Sequence, residues 1–166
     1  KVGARSGRKG FEKNIEPIAD YAASMNIIIG LENPSEGTDQ IITCGKTGAE
    51  VVKEIDSEFI KLNYDFGNAF TYSKGEVDPA SDYREALPHA CYLHLKDMKK
   101  INDRWVFAQI GDGVVGYGRI LKEMVHDKSL LPLSIEHLFI YNASQDLVDL
   151  FLYLGHGGLV TAAVFH

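Results

Sequence analysis

Four short apolar segments along the chain each lead into an ionisable residue. The segments are 27–37, 59–68, 91–97 and 131–137, and the ionisable residues are Glu32, Asp65, His94 and Glu136. Apolar runs of this length without alternation are typical of strands that are buried on both faces of a parallel sheet. Because an unpaired buried carboxylate is costly, we expect Glu32 to be paired, protonated or bound to a cation.

Segments with helical spacing separate these strands. The predicted helices are 11–25, 47–55 with Thr47 as its cap, 80–87, 117–126 and 144–154. Pro17 is the discordant residue of the first helix, which should bend or begin there. Residues 66–79 are predicted to form a long loop, which makes them a candidate functional segment.

The alternation of strands and helices predicts parallel βαβ units with right-handed crossovers. A (β/α)8 TIM barrel of about 250 residues spends about 31 residues on each unit. Here the steps between the four ionisable residues are 33, 29 and 42 residues. The extra length of the last step falls on 104–110, a predicted hairpin strand, and on the turn 111–113. The chain therefore has room for four units of an α/β barrel and not for eight.

Composition narrows the class of protein. The chain has 166 residues, of which 45% are hydrophobic and 24% are charged, so we expect a single globular domain over 1–166. A formal charge of −6 argues against nucleic acid as a partner. The chain has no apolar run long enough to span a membrane, and Cys44 and Cys91 have no metal-binding or disulfide spacing. These features predict a protein of the reducing cytoplasm.

The four polar strand ends predict a metal site. In parallel α/β folds the carboxyl ends of the strands share one rim, so Glu32, Asp65, His94 and Glu136 should converge there. Three carboxylates that lie close together repel one another unless a cation joins them. An oxygen-rich set with one imidazole suits one divalent ion, Mn²⁺, Mg²⁺, Co²⁺ or Zn²⁺.

The motifs LENPSEG, NYDFGN, YLHLKD, IGDGVVGYGRIL and LSIEH occur in this order over roughly 27–154. As an ordered set they resemble the second half of the xylose-isomerase-like sugar phosphate isomerase/epimerase superfamily, which includes ketose 3-epimerases and inosose isomerases and dehydratases. The resemblance implies a TIM barrel of which this chain covers about the last four strand–helix units. It also implies that Glu32, Asp65, His94 and Glu136 bind the single divalent metal.

The resemblance further implies an isomerase or epimerase that acts on a sugar, a sugar phosphate or an inosose. Glu32 and Glu136 would be the catalytic pair, one removing a proton beside the carbonyl and the other returning it, through a cis-enediolate. Two departures from the family pattern concern substrate binding. Asn68 stands where epimerases of this type have a histidine, and Lys96 is a nearby cation where an arginine is familiar. Both are predicted to contact substrate.

Other interpretations remain open at this point. The same barrel carries endonuclease IV-like hydrolases, which use several zinc ions and more histidines than the six present here. A non-catalytic, incomplete barrel segment is a further alternative. Taken singly, Glu32 could pair with a helix N-terminus or a neighbouring lysine, and Asp65 could be a helix or turn cap. His94 could be a core histidine, Glu136 could pair with His137, and Lys96 with Asp97 could form a surface pair.

The number of strands leads to an expectation about assembly. Four strand–helix units do not close a barrel, so we expect either an upstream half outside this sequence or two half-barrels that meet as a homodimer, and we favour the upstream half. The atypical tail 155–166 has no counterpart among the barrel strands. The identity of the sugar and of the metal is left open by the sequence.

Overall fold

The computed structural model describes residues 7–34, 40–129 and 131–135. In chain order the elements are α1 (Gly7–Met25), β1 (Ile29–Glu32), α2 (Gly45–Ile55), β2 (Ile60–Asp65), α3 (Phe66–Tyr72), α4 (Pro79–Ala86), a 3-10 turn (Leu87–His89), β3 (Ala90–Leu95), β4 (Asp97–Ile101), β5 (Arg104–Ala108), α5 (Tyr117–His126) and β6 (Leu133–Ile135). Three predicted features lie outside these residues: Glu136, the helix 144–154 and the tail 155–166.

The central layer is a parallel sheet of four strands in the order β1-β2-β3-β6. Its register places Glu32 opposite Asn63, and Asp65 opposite His94. The strands therefore end along one edge of the sheet, as predicted for consecutive βαβ units. The predicted hairpin is confirmed, since β4 and β5 form a separate antiparallel pair between β3 and α5.

Strand β2 shows how the two faces of the sheet differ. Leu62 and Tyr64 are fully buried and belong to the main hydrophobic core together with residues of α2, α4 and α5. Asn63 and Asp65 alternate with them along the strand and so lie on the opposite face. The sheet thus has a helix-covered apolar face and a face that carries polar groups at its carboxyl end.

Helix α2 shows why the helices can lie so close to the sheet. A Cβ atom added to Gly48 would lie 2.6 Å from a methyl carbon of Leu62, so a larger residue there would force the buried Leu62 side chain to shift. The predicted role of Thr47 as cap is wrong by one turn. Cys44 is the N-cap, and its backbone N–H donates to the Thr47 hydroxyl at 3.0 Å, which is the N3 half of a capping box.

The loop predicted at 66–79 is wrong in its first half, which forms helix α3. The helix begins directly after β2 because the Asp65 carboxylate accepts a hydrogen bond of 2.7 Å from the Asn68 N–H. Phe66 is fully buried and lies against the rings of Tyr64 and Tyr83, with centroids 4.9 and 5.5 Å away. A cap and an aromatic anchor outweigh the weak helix propensity of Gly67 and Asn68.

The expectation that β1 is buried on both faces is also wrong. Gly30 and Glu32 are exposed, and so are Ile27 and Ile28 just before the strand. The reason is position, because β1 lies at the edge of the described sheet and pairs only with β2 there. Pro17 lies inside α1, which continues through it from Gly7 to Met25.

Candidate metal centre

Three of the four predicted ligands meet at the carboxyl edge of the sheet. Glu32 ends β1, Asp65 ends β2 and His94 lies one residue before the end of β3. The Nδ1 atom of His94 is 3.2 Å from Oε1 of Glu32 and 3.9 Å from Oδ2 of Asp65. One ligand atom from each residue can be chosen so that all three lie within 4.8 Å of one another. The fourth predicted ligand, Glu136, follows β6 directly and lies outside the described residues.

The three side chains differ in their access to solvent. The Asp65 side chain is fully buried, that of His94 is 18% exposed and that of Glu32 is 40% exposed. Two carboxylates and one imidazole are ligands that Mg²⁺, Mn²⁺, Co²⁺ and Zn²⁺ accept, so the chemistry of this donor set fits the predicted cation. The gradient of exposure leaves Glu32 on the solvent side of the three residues.

Lys96 is the cation already present at this site. Its Nζ lies 3.4 Å from Oδ2 of Asp65, and its side chain is only 8% exposed. The Phe107 ring lies 5.5 Å from the same Nζ, in the range of a cation–π contact. A buried ammonium beside a buried carboxylate stabilises both charges. The alternative reading of Lys96 with Asp97 as a surface pair is wrong, because both residues are buried.

Asn68 connects the exposed and the buried parts of the site. Its Nδ2 donates to Oε1 of Glu32 at 3.3 Å and to the Asn33 carbonyl at 2.9 Å. Its Oδ1 accepts from Nζ of Lys96 at 3.0 Å. The side chain predicted to contact substrate is thus buried and holds Glu32 and Lys96 in place.

Asn33 is a structural member of the site that the sequence reasoning missed. Its side chain is fully buried, donates to the Asp65 carbonyl and accepts from the Asp65 N–H, both at 2.9 Å. This pair of bonds extends the β1–β2 ladder by one side chain and fixes the end of β2. The signal was the Asn33-Pro34 pair, because proline leaves the preceding strand no further ladder donor and an asparagine side chain can replace one.

The backbone of Lys96 is held from α5. The Lys96 N–H donates to the Tyr117 hydroxyl at 2.7 Å, and that hydroxyl donates to the Lys96 carbonyl at 3.1 Å. Burial, with a smaller effect of the Asp65 charge, raises the pKa of Tyr117 well above its ordinary value, so the phenol keeps the proton that it donates. A side chain on Gly67 would collide with the Lys96 carbonyl, so α3 can approach only at glycine.

The backbone of the GDGVVG segment after β5 is held by the side-chain carboxylate of Asp97. The Asp97 carboxylate accepts from the N–H groups of Met98, Gly111, Gly113 and Val115, at 2.8 to 3.2 Å. A side chain on Gly113 would occupy the position of that carboxylate. The segment is a turn that anchors the β4–β5 hairpin and the start of α5 beside Lys96.

The family model of the xylose isomerase-like TIM barrel matches residues 2–145. This chain belongs to that family. The match agrees with the resemblance predicted from the five ordered motifs, and the four-stranded parallel sheet is a part of the barrel of this family. No curated protein matches the sequence significantly.

Solved structures of the family share the fold at low sequence identity. The 3-keto-D-glucoside 4-epimerase of E. coli is 17% identical with a TM-score of 0.63, over 90% of this chain and 53% of its own. A D-tagatose 3-epimerase-like protein is 22% identical with a TM-score of 0.65, over 89% of this chain and 53% of its own. A Mycobacterium smegmatis protein of this barrel type, solved in complex with magnesium, is 19% identical with a TM-score of 0.67, over 93% of this chain and 51% of its own.

The chain spans about half the length of each of these structures. Their sequence identities establish a shared fold and no more. Within the part of the chain that the structure describes, no helix combines the length and the apolarity that crossing a membrane requires.

Proposed function

We propose that this chain carries the metal centre of a divalent-metal-dependent isomerase or epimerase that acts on a sugar, a sugar phosphate or an inosose. The observation that carries the proposal is the meeting of Glu32, Asp65 and His94 within 4.8 Å at the ends of three adjacent parallel strands. Two of the structurally similar proteins are described as an epimerase and an epimerase-like protein, and a third was solved with magnesium, which supports the same reaction class and cofactor.

Glu32, Asp65 and His94, with Glu136 as the fourth predicted ligand, would hold one Mn²⁺, Mg²⁺, Co²⁺ or Zn²⁺. Such a cation supplies positive charge that acidifies a C–H bond beside a carbonyl and stabilises the negative charge left when the proton departs. The fully buried Asp65 is suited to holding the cation, since its backbone and one carboxylate oxygen are fixed by hydrogen bonds.

Glu32 has the exposure and the support of a general base. Its carboxylate is 40% exposed, so a substrate carbon can approach it, and the Asn68 amide orients it through Oε1. We assign to Glu32 and Glu136 the removal and the return of the proton beside the carbonyl, through a cis-enediolate of the substrate. A positioned carboxylate contributes about 10²–10⁴-fold to such a transfer.

Lys96 is proposed to contact the substrate directly, and Asn68 is proposed to act on it indirectly. The Lys96 ammonium lies between Asp65 and Asn68 at the inner wall of the site, where it can attract a substrate oxygen that carries developing negative charge. Asn68 acts one step further away, through Glu32 and Lys96. Both cysteines are free thiols, which supports the proposed location in a reducing cytoplasm.

Two measurements test the proposal. Calorimetric titration with Mn²⁺, Mg²⁺, Co²⁺ and Zn²⁺ should show binding of one cation, and a chain that binds none would instead be a non-catalytic segment. In D₂O with Mn²⁺, ketohexoses incubated with a complete barrel that contains this chain should take up deuterium beside the carbonyl, as measured by mass spectrometry. Glu136→Gln should lower that uptake by about 10²-fold or more and keep measurable cation affinity. Unchanged uptake would contradict the two-glutamate mechanism, and cleavage of abasic DNA would favour the hydrolase.

A further inference from the structure

The two ring nitrogens of His94 face different partners. Nδ1 points to the carboxylates, 3.2 Å from Glu32 and 3.9 Å from Asp65. Nε2 lies 3.3 Å from the side-chain nitrogen of Asn63. Asn63 lies on β2 two residues before Asp65, on the same face of the sheet, and opposite Glu32 in the β1–β2 register. A neutral carboxamide is therefore built into the sheet beside the one imidazole of the metal centre.

The two contacts of the His94 ring fit one arrangement of its protons. If Nδ1 donates to Glu32, a neutral ring has its lone pair on Nε2, and the NH₂ group of Asn63 donates to it. In this orientation Oδ1 of Asn63 is buried and has no hydrogen-bond partner. A buried acceptor without a partner is unfavourable, so nothing on the oxygen side locks the amide in this orientation.

A cation bound by Nδ1 requires the opposite pattern. The coordinating nitrogen must give up its proton, and a neutral ring then carries the proton on Nε2. That N–H needs an acceptor, and ligating histidines commonly find one in a neighbouring side chain. Rotation of the Asn63 carboxamide by half a turn brings Oδ1 to the position that Nδ2 occupied. The same side chain serves both patterns because it has a donor and an acceptor of nearly equal size.

We propose that Asn63 is a positioning residue that selects which nitrogen of His94 carries the proton, donating to Nε2 in the cation-free site and accepting from Nε2–H when the cation is bound. This inference rests on the proposed function for its second half only. A cation held by Nδ1 would take the place of the Nδ1 proton, which would pass to solvent, and Nε2 would take one proton up, so the ring would remain neutral and its proton count unchanged. Neither leucine nor aspartate can do both tasks at position 63.

Long-range ¹H–¹⁵N NMR spectra of histidine-labelled chain test the proposal, with the His94 signals identified by their loss in His94→Gln. In the metal-free wild type we expect the proton on Nδ1, and with Zn²⁺ alone added we expect it on Nε2. A metal-free wild type that carries a proton on Nε2 would overturn the proposal. So would a zinc-bound ring whose Nε2–H exchanges with solvent as fast in the wild type as in Asn63→Leu.

Two variants separate the roles of the amide. Asn63→Asp can only accept, so His94 should carry a proton on Nε2 even without zinc; a spectrum like that of the metal-free wild type would overturn the proposal. Asn63→Leu can neither donate nor accept, and its zinc affinity should fall about 10–100-fold, while Asn63→Asp should retain it. Asn14→Leu, on the exposed side of α1, is the matched control and should change neither spectrum nor affinity.

The experiment also separates this inference from the proposed function. If the wild-type chain binds none of the four cations, the proposed metal centre fails, while the metal-free spectra of the wild type and Asn63→Asp still decide whether Asn63 sets the protonation of His94. If zinc binds and both variants bind it as tightly as the wild type, the metal centre stands and the positioning role fails.

Discussion

The two faces of strand β2 share one backbone but lie in different environments. On one face Leu62 and Tyr64 are fully buried among the helices. On the other, Asn63 and Asp65 make polar contacts with His94 and Asn68 from neighbouring elements. Neighbouring residues of the strand lie in the two environments, because successive side chains of a strand point to opposite faces.

The two faces of β2 should contribute differently, the apolar face to stability and the polar face to the candidate site. Substitutions on the apolar face remove buried hydrocarbon and should act on folding without a direct effect on the site. The polar face holds charges and carboxamides whose arrangement adds little apolar burial but forms the candidate cation site. The two faces should therefore respond differently to substitution, in both the size and the kind of effect.

The largest effect is expected on the apolar face. Leu62→Ala should lower the free energy of unfolding by about 2–5 kcal/mol, because the fully buried side chain lies against α2 at Gly48 and the helix cannot fill the space. Urea denaturation followed by circular dichroism measures this loss. Lys61→Ala, the half-buried neighbour on the other face, is the control and should cost much less. Equal losses for the two variants would contradict the division between the faces.

The second effect belongs to the polar face. Asp65→Asn keeps the size of the side chain and an acceptor for the Asn68 N–H, yet removes the negative charge of a proposed ligand. We expect Mn²⁺ affinity to fall by more than about 100-fold, beyond what the loss of a supporting hydrogen bond causes. Calorimetry measures the change.

Asp78→Asn is the matched control for Asp65→Asn. Asp78 caps helix α4 in the same way, by accepting from the Ala80 N–H, but it lies outside the candidate site. Its replacement should leave Mn²⁺ affinity unchanged. If both variants lowered the affinity equally, the effect would come from helix capping, and Asp65 would not be a ligand.

Much of this division could be predicted from the sequence. The positions of Glu32, Asp65 and His94 at strand ends follow from short apolar runs that stop at a polar residue. The second strand of the hairpin was also predicted, but its turn is Asn102-Asp103 and not the glycine segment that follows β5.

Helix α3 does not follow from the pattern, although a capping role of Asp65 is one of its alternatives, because Gly67 and Asn68 favour a loop. One Asp65 carboxylate oxygen accepts from the helix and the other faces the candidate site.

The exposure of β1 and the contacts of Asn68 could also not be predicted from the sequence. A run such as IIIGLE has the same composition whether its strand is central or at an edge, so the pattern cannot give its neighbours. Asn68 was interpreted by analogy with a substrate-binding histidine. Its actual contacts depend on the meeting of β1, α3 and β3, which no local pattern encodes.

A smaller effect should come from Asn68. Asn68→Ala removes the bonds that hold Glu32 and Lys96, and we expect Mn²⁺ affinity to fall about 10-fold, since such supporting contacts are worth about 10–100-fold. Calorimetry against Asn14→Ala, an exposed asparagine of α1, checks the result. An affinity equal to that of the wild type would show that Glu32 reaches its position without Asn68.

The smallest expected effect lies at the opposite end of β3, five residues before His94. Partial burial, followed by the charges of Lys53 and Lys61, lowers the pKa of His89. The unfolded chain therefore takes up this proton more readily than the folded chain, so the free energy of unfolding should decrease as the pH falls below about 6.5. His89→Gln has no such proton and should lose less stability between about pH 8 and about pH 5 than the wild type. Urea denaturation at both pH values measures the difference. Lys53→Gln, which removes one of the two charges, should fall between them; a wild type and a His89→Gln variant with the same pH dependence would contradict the assignment.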